Sequence, residues 1–211
     1  MTRITKRARH DWQKEARGRE ILEAATRLFA ASGRLPAMAE VATEAGVAKG
    51  TLYLYFKSRE ALWLALLESS IGRWVGAIAA WVPTPAAGVA GLVETIIAGA
   101  EADPMLIPLA ISNAVLIEPN AGPEAADRFK GTTADHTRHL GALLAERLGM
   151  SSAEGISRVV QTYALLIGLW QMAVPTAGMP RDVDAPPSFW KLDWRREAST
   201  ALAALWQRPS G

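Results

Sequence analysis

Apolar positions recur along this chain with a helical period, and no stretch shows strand alternation. Over 14–32, Ile21, Leu22, Ala25, Leu28 and Phe29 fall at i, i+1, i+4, i+7 and i+8, a single buried stripe. Ser32-Gly33 ends that helix, and Pro36 suits the first turn of the next, which runs to about Ala45. From about Ala48 to Phe56, Leu52 and Phe56 share an inward face. Ser58 is an N-cap for a longer helix to about Ala80, striped by Trp63, Leu66, Leu67, Ile71, Trp74, Val75 and Ile78. Pro83 and Pro85 break it. Further helices are expected over about 86–101, 104–118, 123–148, 152–174 and 190–207. Pro104 starts the second of these, Pro108 distorts it, and Gly149 stops the third. Pro175, Gly178, Pro180, Pro186 and Pro187 form an irregular loop before the last. The predicted fold is all-α, in two regions, 1–60 and 61–211.

Within the first region, Val41 to Ala61 reads as the back half of one short helix, a turn and a second short helix. Val41, Ala42, Ala45 and Val47 are small, so two helices can cross closely. Gly46 stands where the chain must take a positive φ. The second helix offers Lys49, Gly50, Thr51, Tyr53 and Tyr55 outward. This is a helix-turn-helix, whose second helix enters the DNA major groove.

These residues also carry a resemblance. Ile21-Leu22-Glu23-Ala24-Ala25 to Leu28-Phe29-Ala30, then Val41-Ala42, Ala45-Gly46-Val47, Gly50-Thr51-Leu52-Tyr53, Phe56 and Lys57 to Leu62 are similar to the tetracycline-repressor (TetR) family, over roughly residues 15–67. The resemblance implies that Lys49, Gly50 and Thr51 approach base edges, with Lys49 reaching a guanine or a phosphate. It implies phosphate contacts for the Tyr53 and Tyr55 hydroxyls, with a thymine methyl as a further contact of Tyr53; partly buried core is the alternative for both. Lys57 and Arg59 flank the next helix N-terminus, where a phosphate would meet free N–H groups and both cations. Two departures stand out. The Ser32–Pro36 loop is a residue shorter than usual, and Met38 and Ala39 replace polar residues that hold DNA in many relatives. The basic arm of Arg3, Lys6, Arg7 and Arg9 either follows the DNA or serves as a solubilising tail.

Charge sharpens the division. The net charge of +2 hides 12 Lys/Arg against 7 Asp/Glu in residues 1–60, and 11 against 14 thereafter. A basic first region and a mildly acidic second suggest a polyanion partner for the first alone. No window approaches 18 uninterrupted apolar residues, and the basic N-terminus lacks the apolar stretch of a secretory signal. The absence of Cys excludes disulfides and thiolate metal sites and fits the cytoplasm.

No enzyme, cofactor or metal signature emerges. His10, His136 and His139 lack a nucleophile partner, and the glycines form no phosphate loop. Asp135 and His139, at i, i+4, read as a surface pair, and His136 as a core histidine or a ligand hydrogen bond. The chain has eight Trp, and Trp74, Trp81, Trp170, Trp190, Trp194 and Trp206 all fall in the second region. Aromatics line apolar ligand sites, and they also fill cores and interfaces. Met105, Leu109 and Asn113, one turn apart, form a candidate cavity wall with Trp74 and Trp170.

Residues 156–174 carry a broad stripe (Ile156, Val159, Val160, Tyr163, Ala164, Ile167, Trp170, Val174), and Trp194, Ala198, Ala201, Leu202 and Leu205 repeat it in the last helix. Two copies of each would make a two-fold homodimer matched to a palindromic operator; otherwise these helices complete the monomer core. The expected protein is a cytoplasmic, homodimeric regulator of transcription. It would be a repressor that binds double-stranded operator DNA and is released by a small apolar or aromatic effector. The rivals are a DNA-binding or architectural protein with no inducer, and a helical enzyme with a DNA-recruiting module, for which Asp135, His136, Glu118 and Glu124 are the thin candidates.

Overall fold

The computed structural model describes the backbone of residues 2–84, 88–173 and 192–207, and within them the side chains from Trp12 onward. Among these residues there are nine α-helices and no strand: α1 (Thr2–Ser32), α2 (Met38–Glu44), α3 (Lys49–Tyr55), α4 (Arg59–Trp81), α5 (Val89–Ala102), α6 (Leu106–Ser112), α7 (Pro123–Leu148), α8 (Ser152–Ala173) and α9 (Trp194–Trp206). Pro85, Val174, Pro175, Gly178, Pro180, Pro186, Pro187 and Trp190 lie outside the described residues.

Several boundaries differ from expectation. Helix α1 begins at Thr2 rather than near 14. Residues 2–17 contain no Pro or Gly and are rich in Arg, Lys, Ala, Gln and Glu, all good helix formers, so nothing stops the helix from extending. Pro36 precedes α2 instead of opening it. The N-cap is Ala37, whose N–H donates to the Glu40 carboxylate at 2.7 Å. Pro104 likewise stands before α6, and Asp103 accepts the Met105 N–H at 3.0 Å. The expected helix over 104–118 ends as α-helix at Ser112, widens into a π turn over Asn113–Ile117 and tightens to a 3-10 turn over Glu118–Asn120. Pro119 is the physical reason. It has no N–H for the Val115 carbonyl, and in an α-helix its ring would crowd that oxygen.

The chain forms two compact units, Met1–Leu67 with Ser112–Phe129, and Glu68–Ile111 with Lys130–Gly211. In the first, Ile21, Ala24, Ala25, Val41, Leu52, Leu62 and Leu64 have no exposed surface, each large aliphatic contributing about 1.5–3 kcal/mol by burial. Gly46 closes the α2–α3 turn at φ 64°. Ser58 caps α4 as expected, its Oγ accepting the Ala61 N–H at 3.0 Å.

In the second unit, Leu92, Ile96, Ile97, Met105, Leu109, Ala198 and Leu202 are wholly buried. Helices α7 and α8 meet at Gly141 and Gly155. A Cβ on Gly141 would stand 2.7 Å from the Ile156 backbone, so the crossing depends on a missing side chain. Helix α9 is pinned to α8 by indole hydrogen bonds, Trp194 Nε1–H to the Leu166 carbonyl at 3.2 Å and Trp206 Nε1–H to Thr162 Oγ1 at 3.0 Å. By length and composition α4 could cross a membrane, but 61% of its apolar window is buried within the protein, as in a core helix.

Candidate nucleic-acid interface and effector region

Helix α3 is one side of a small folded unit, and its sequence divides cleanly by burial. Leu52 has no exposed surface and Phe56, at its C-cap, is buried. Lys49, Gly50, Tyr53 and Leu54 are exposed, at i, i+1, i+4 and i+5. An added Cβ on Gly50 would meet nothing within 4 Å, so the helix surface there is open backbone. Thr51 and Tyr55 are half-buried, Tyr55 leaning toward Gly18 of α1, where its Cδ1 lies 3.9 Å from a built Cβ. Lys57 and Arg59 are exposed at the start of α4. Arg59 is partly engaged, its guanidinium 4.4 Å from the Trp63 ring centroid and 3.0 Å from Glu60. Thus five of the seven residues expected at DNA face solvent, and two are shared with the core.

The departures noted in the sequence acquire a structural role. Met38 is buried, a core residue of α2, whereas Ala39 is exposed. Arg34, in the shortened loop, makes a two-nitrogen contact with Glu40. That hydrogen bonding, reinforced by the Ala37 N–H, holds the Glu40 carboxyl at about 2. Two residues were missed. Trp12 is 62% exposed on the N-terminal extension of α1 and Leu54 is 68% exposed on α3; both line one open groove with Lys14, Arg17 and Tyr55. Leu54 was detectable, since it lies one turn beyond Gly50 on the same face.

The five effector candidates occupy different settings. Trp74 is buried in the second unit and donates its indole N–H to the Ile96 carbonyl at 3.0 Å. Met105 and Leu109 are fully buried in that unit, and the Leu109 N–H reaches the Met105 carbonyl at 3.0 Å. Trp170 is half-buried and packs edge-on against Trp194, centroids 5.0 Å apart. Asn113 belongs to the first unit, in the π turn. Its amide nitrogen donates to Glu118 at 3.3 Å, while its buried Oδ1 has no partner. The row of Met105, Leu109 and Asn113 is therefore interrupted: only Leu109 lies within α6, and Asn113 begins the widened turn.

The expected surface pair of Asp135 and His139 is not formed; Asp135 pairs with Arg138, a turn away on the same exposed face. His136 is half-buried, its Nε2 3.6 Å from a Cβ built on Gly72. Among the described residues no group of three or more His, Asp or Glu is placed to hold a metal. The α8 stripe splits into two faces. Gly155, Arg158, Val159, Thr162 and Leu166 are buried, and Val160, Ala164 and Met172 are exposed. Ala164, Gly168, Leu169, Met172 and Leu205 line an open apolar groove on that outer side.

A basic helix-turn-helix followed by a larger helical unit defines a class of bacterial regulatory proteins. The family model "Bacterial regulatory proteins, tetR family" matches residues 21–66, and "Tetracyclin repressor-like, C-terminal domain" matches 68–207. The chain belongs to the TetR family. It is similar to the "Fatty acid metabolism regulator protein" of Bacillus subtilis (strain 168), 34% identical over 64 residues, which is 30% of this chain and 33% of that protein. The chain thus aligns with about a third of the length of that curated relative. Among solved structures, the fatty acid degradation regulator FadR of Bacillus halodurans superposes with a TM-score of 0.56 at 20% identity, covering 90% of this chain and 93% of that one. FadR of Bacillus subtilis in complex with stearoyl-CoA gives 0.54 at 18%, covering 89% and 96%. These two likenesses establish the shared fold.

Proposed function

We propose that the protein is a ligand-responsive DNA-binding repressor of transcription, a homodimer on a palindromic double-stranded operator, released by a small apolar or aromatic molecule. The observation that carries the reading is the exposed polar face of α3, with Lys49, Gly50 and Tyr53 clear of the core that positions them. Lys49, Gly50 and Thr51 approach base edges. Tyr53, Tyr55, Lys57 and Arg59 hold the phosphate backbone. The outer apolar groove of α8 and α9 supports an isologous dimer contact, which would place two recognition helices on two half-sites.

The effector binds the second unit, with Trp74, Met105, Leu109 and Trp170 as candidate lining; Asn113, grouped with them from the sequence, falls in the first unit. Helix α4, whose residues Arg59–Leu67 belong to one unit and Glu68–Trp81 to the other, is the transmitter. An effector that favours one arrangement of the units over the other by ~1–3 kcal/mol changes operator affinity by about 5- to 150-fold. The name of the curated relative, a fatty acid metabolism regulator, makes a fatty acid the first effector to try. In this reading the chain acts in the cytoplasm and is not an enzyme, which agrees with the naming of its relatives as regulators.

The test is an electrophoretic shift with DNA flanking the protein's own coding sequence, repeated across a panel of metabolites. Lys49→Ala should lower specific affinity. Lys57→Ala should weaken all sequences alike and reduce the salt slope by about 1. If both variants bind as tightly as wild type, the assignment of the interface to α3 is wrong.

A further inference from the structure

We propose that Leu54 is a sequence-reading residue of α3, packing on the C5-methyl group of a thymine in the major groove; this rests on the DNA-binding reading above. Lys49, Gly50, Tyr53 and Leu54 form one exposed face, opposite buried Leu52. Leu54 is 68% exposed, and packing of the unit does not require it. Gly50, one turn earlier, has open space where a Cβ would stand, so α3 is low there and Leu54 projects beyond it. A helix seated through that low point brings Leu54 to the floor of the groove.

The chemistry of the groove then limits what Leu54 can meet. Base edges offer acceptors and amino donors, which a leucine cannot pair. They offer one apolar group, the thymine methyl. Lys57 just beyond α3 and Lys14 in the adjoining groove are exposed cations suited to flanking phosphates. That setting of charge favours nucleic acid over an apolar peptide as the occupant of this patch.

The experiment starts from a duplex selected out of a random-sequence pool by the wild-type protein. Each thymine of the half-site is then replaced by deoxyuridine, which removes the methyl and leaves pairing intact. One replacement, in a single half-site, should weaken wild-type binding about fourfold, the loss of one buried methyl. Leu54→Ala should bind the thymine and deoxyuridine duplexes equally, with the salt slope of its binding unchanged. Wild type indifferent to every replacement, a Leu54→Ala variant as sensitive as wild type, or a selected half-site without thymine would each overturn the proposal. Failure of the wild-type protein to select any duplex would instead overturn the DNA-binding reading on which it stands.

Discussion

The two units assemble their helices by opposite means. In the helix-turn-helix unit, α2 and α3 are seven residues each, too short to persist alone, and they pack through small side chains such as Val41 and Ala42. Little of α3 beyond Leu52 is consumed, so Lys49, Gly50, Tyr53 and Leu54 stay free for a partner. Helices α7 and α8, 26 and 22 residues long, touch in the second unit where Gly141 and Gly155 leave no room for a side chain. Three of its tryptophans are committed inward. Trp74, Trp194 and Trp206 each donate an indole N–H to a partner inside the unit. Chemistry in the first unit is what packing leaves over; in the second, the conspicuous residues are the packing.

The strongest way to break this contrast is Trp206→Ala. Trp206 is 1% exposed and bonded to Thr162, so its removal opens a cavity and strands a buried hydroxyl. The expected cost is about 3–5 kcal/mol, read as a lowered midpoint of urea unfolding with an unchanged slope. A loss under about 1 kcal/mol would mean that the indoles are not structural and that their number signals something else.

The same contrast explains what could be read from the residues alone. The exposed face of α3 was legible because one short helix shows its free side as a period of exposed residues around Leu52 and Phe56. Ser58 as a cap and Gly46 as a turn were legible too, since each acts within four residues of itself. The effector candidates were not separable in this way. Trp170 meets Trp194 across 24 positions of sequence, and Trp74 meets Ile96 across 22, contacts that periodicity along one helix does not encode. The extension of α1 rests on intrinsic helix propensity, a weak signal beside the apolar stripe that begins at Ile21. The π turn was missed because Pro119 acts backwards, on a carbonyl four residues earlier.

A smaller effect sharpens the comparison within the second unit, by asking which α8 face packs and which is left over. Ala164 is exposed, beside Gly168 and Leu205 in the outer groove, while Val159 and Thr162 are buried. Ala164→Arg should leave the fold intact and place an unpaired charge in the dimer contact. Self-association should weaken by about 30-fold or more, the loss of roughly 2 kcal/mol typical of a central interface residue. Light scattering and helical circular dichroism read the two quantities separately. A variant as dimeric as wild type would move the contact to another face.

The smallest expected effect tests whether the loop of the first unit is stabilised by charge. Arg34 and the Ala37 N–H hold the Glu40 carboxyl at about 2 in the folded protein, against an ordinary 4.5. A depressed folded value means that the carboxylate contributes stability above about pH 4.5 and loses it as pH falls toward 2. Both side chains lie at the surface, where solvent and salt weaken such pairs, so the contribution is modest and should shrink further at high ionic strength. Glu40→Gln is the informative change, because the amide oxygen still accepts the Ala37 N–H while the charge is gone. Other carboxylates also titrate in this window, so the quantity to follow is the difference in urea midpoint between wild type and variant. That difference should be largest near neutral pH, narrow below about 4.5 and vanish near 2. A difference that stays constant over the whole range would show that Arg34 and Glu40 meet without energetic consequence, and that α2 is held by Met38, Val41 and Ala42 alone.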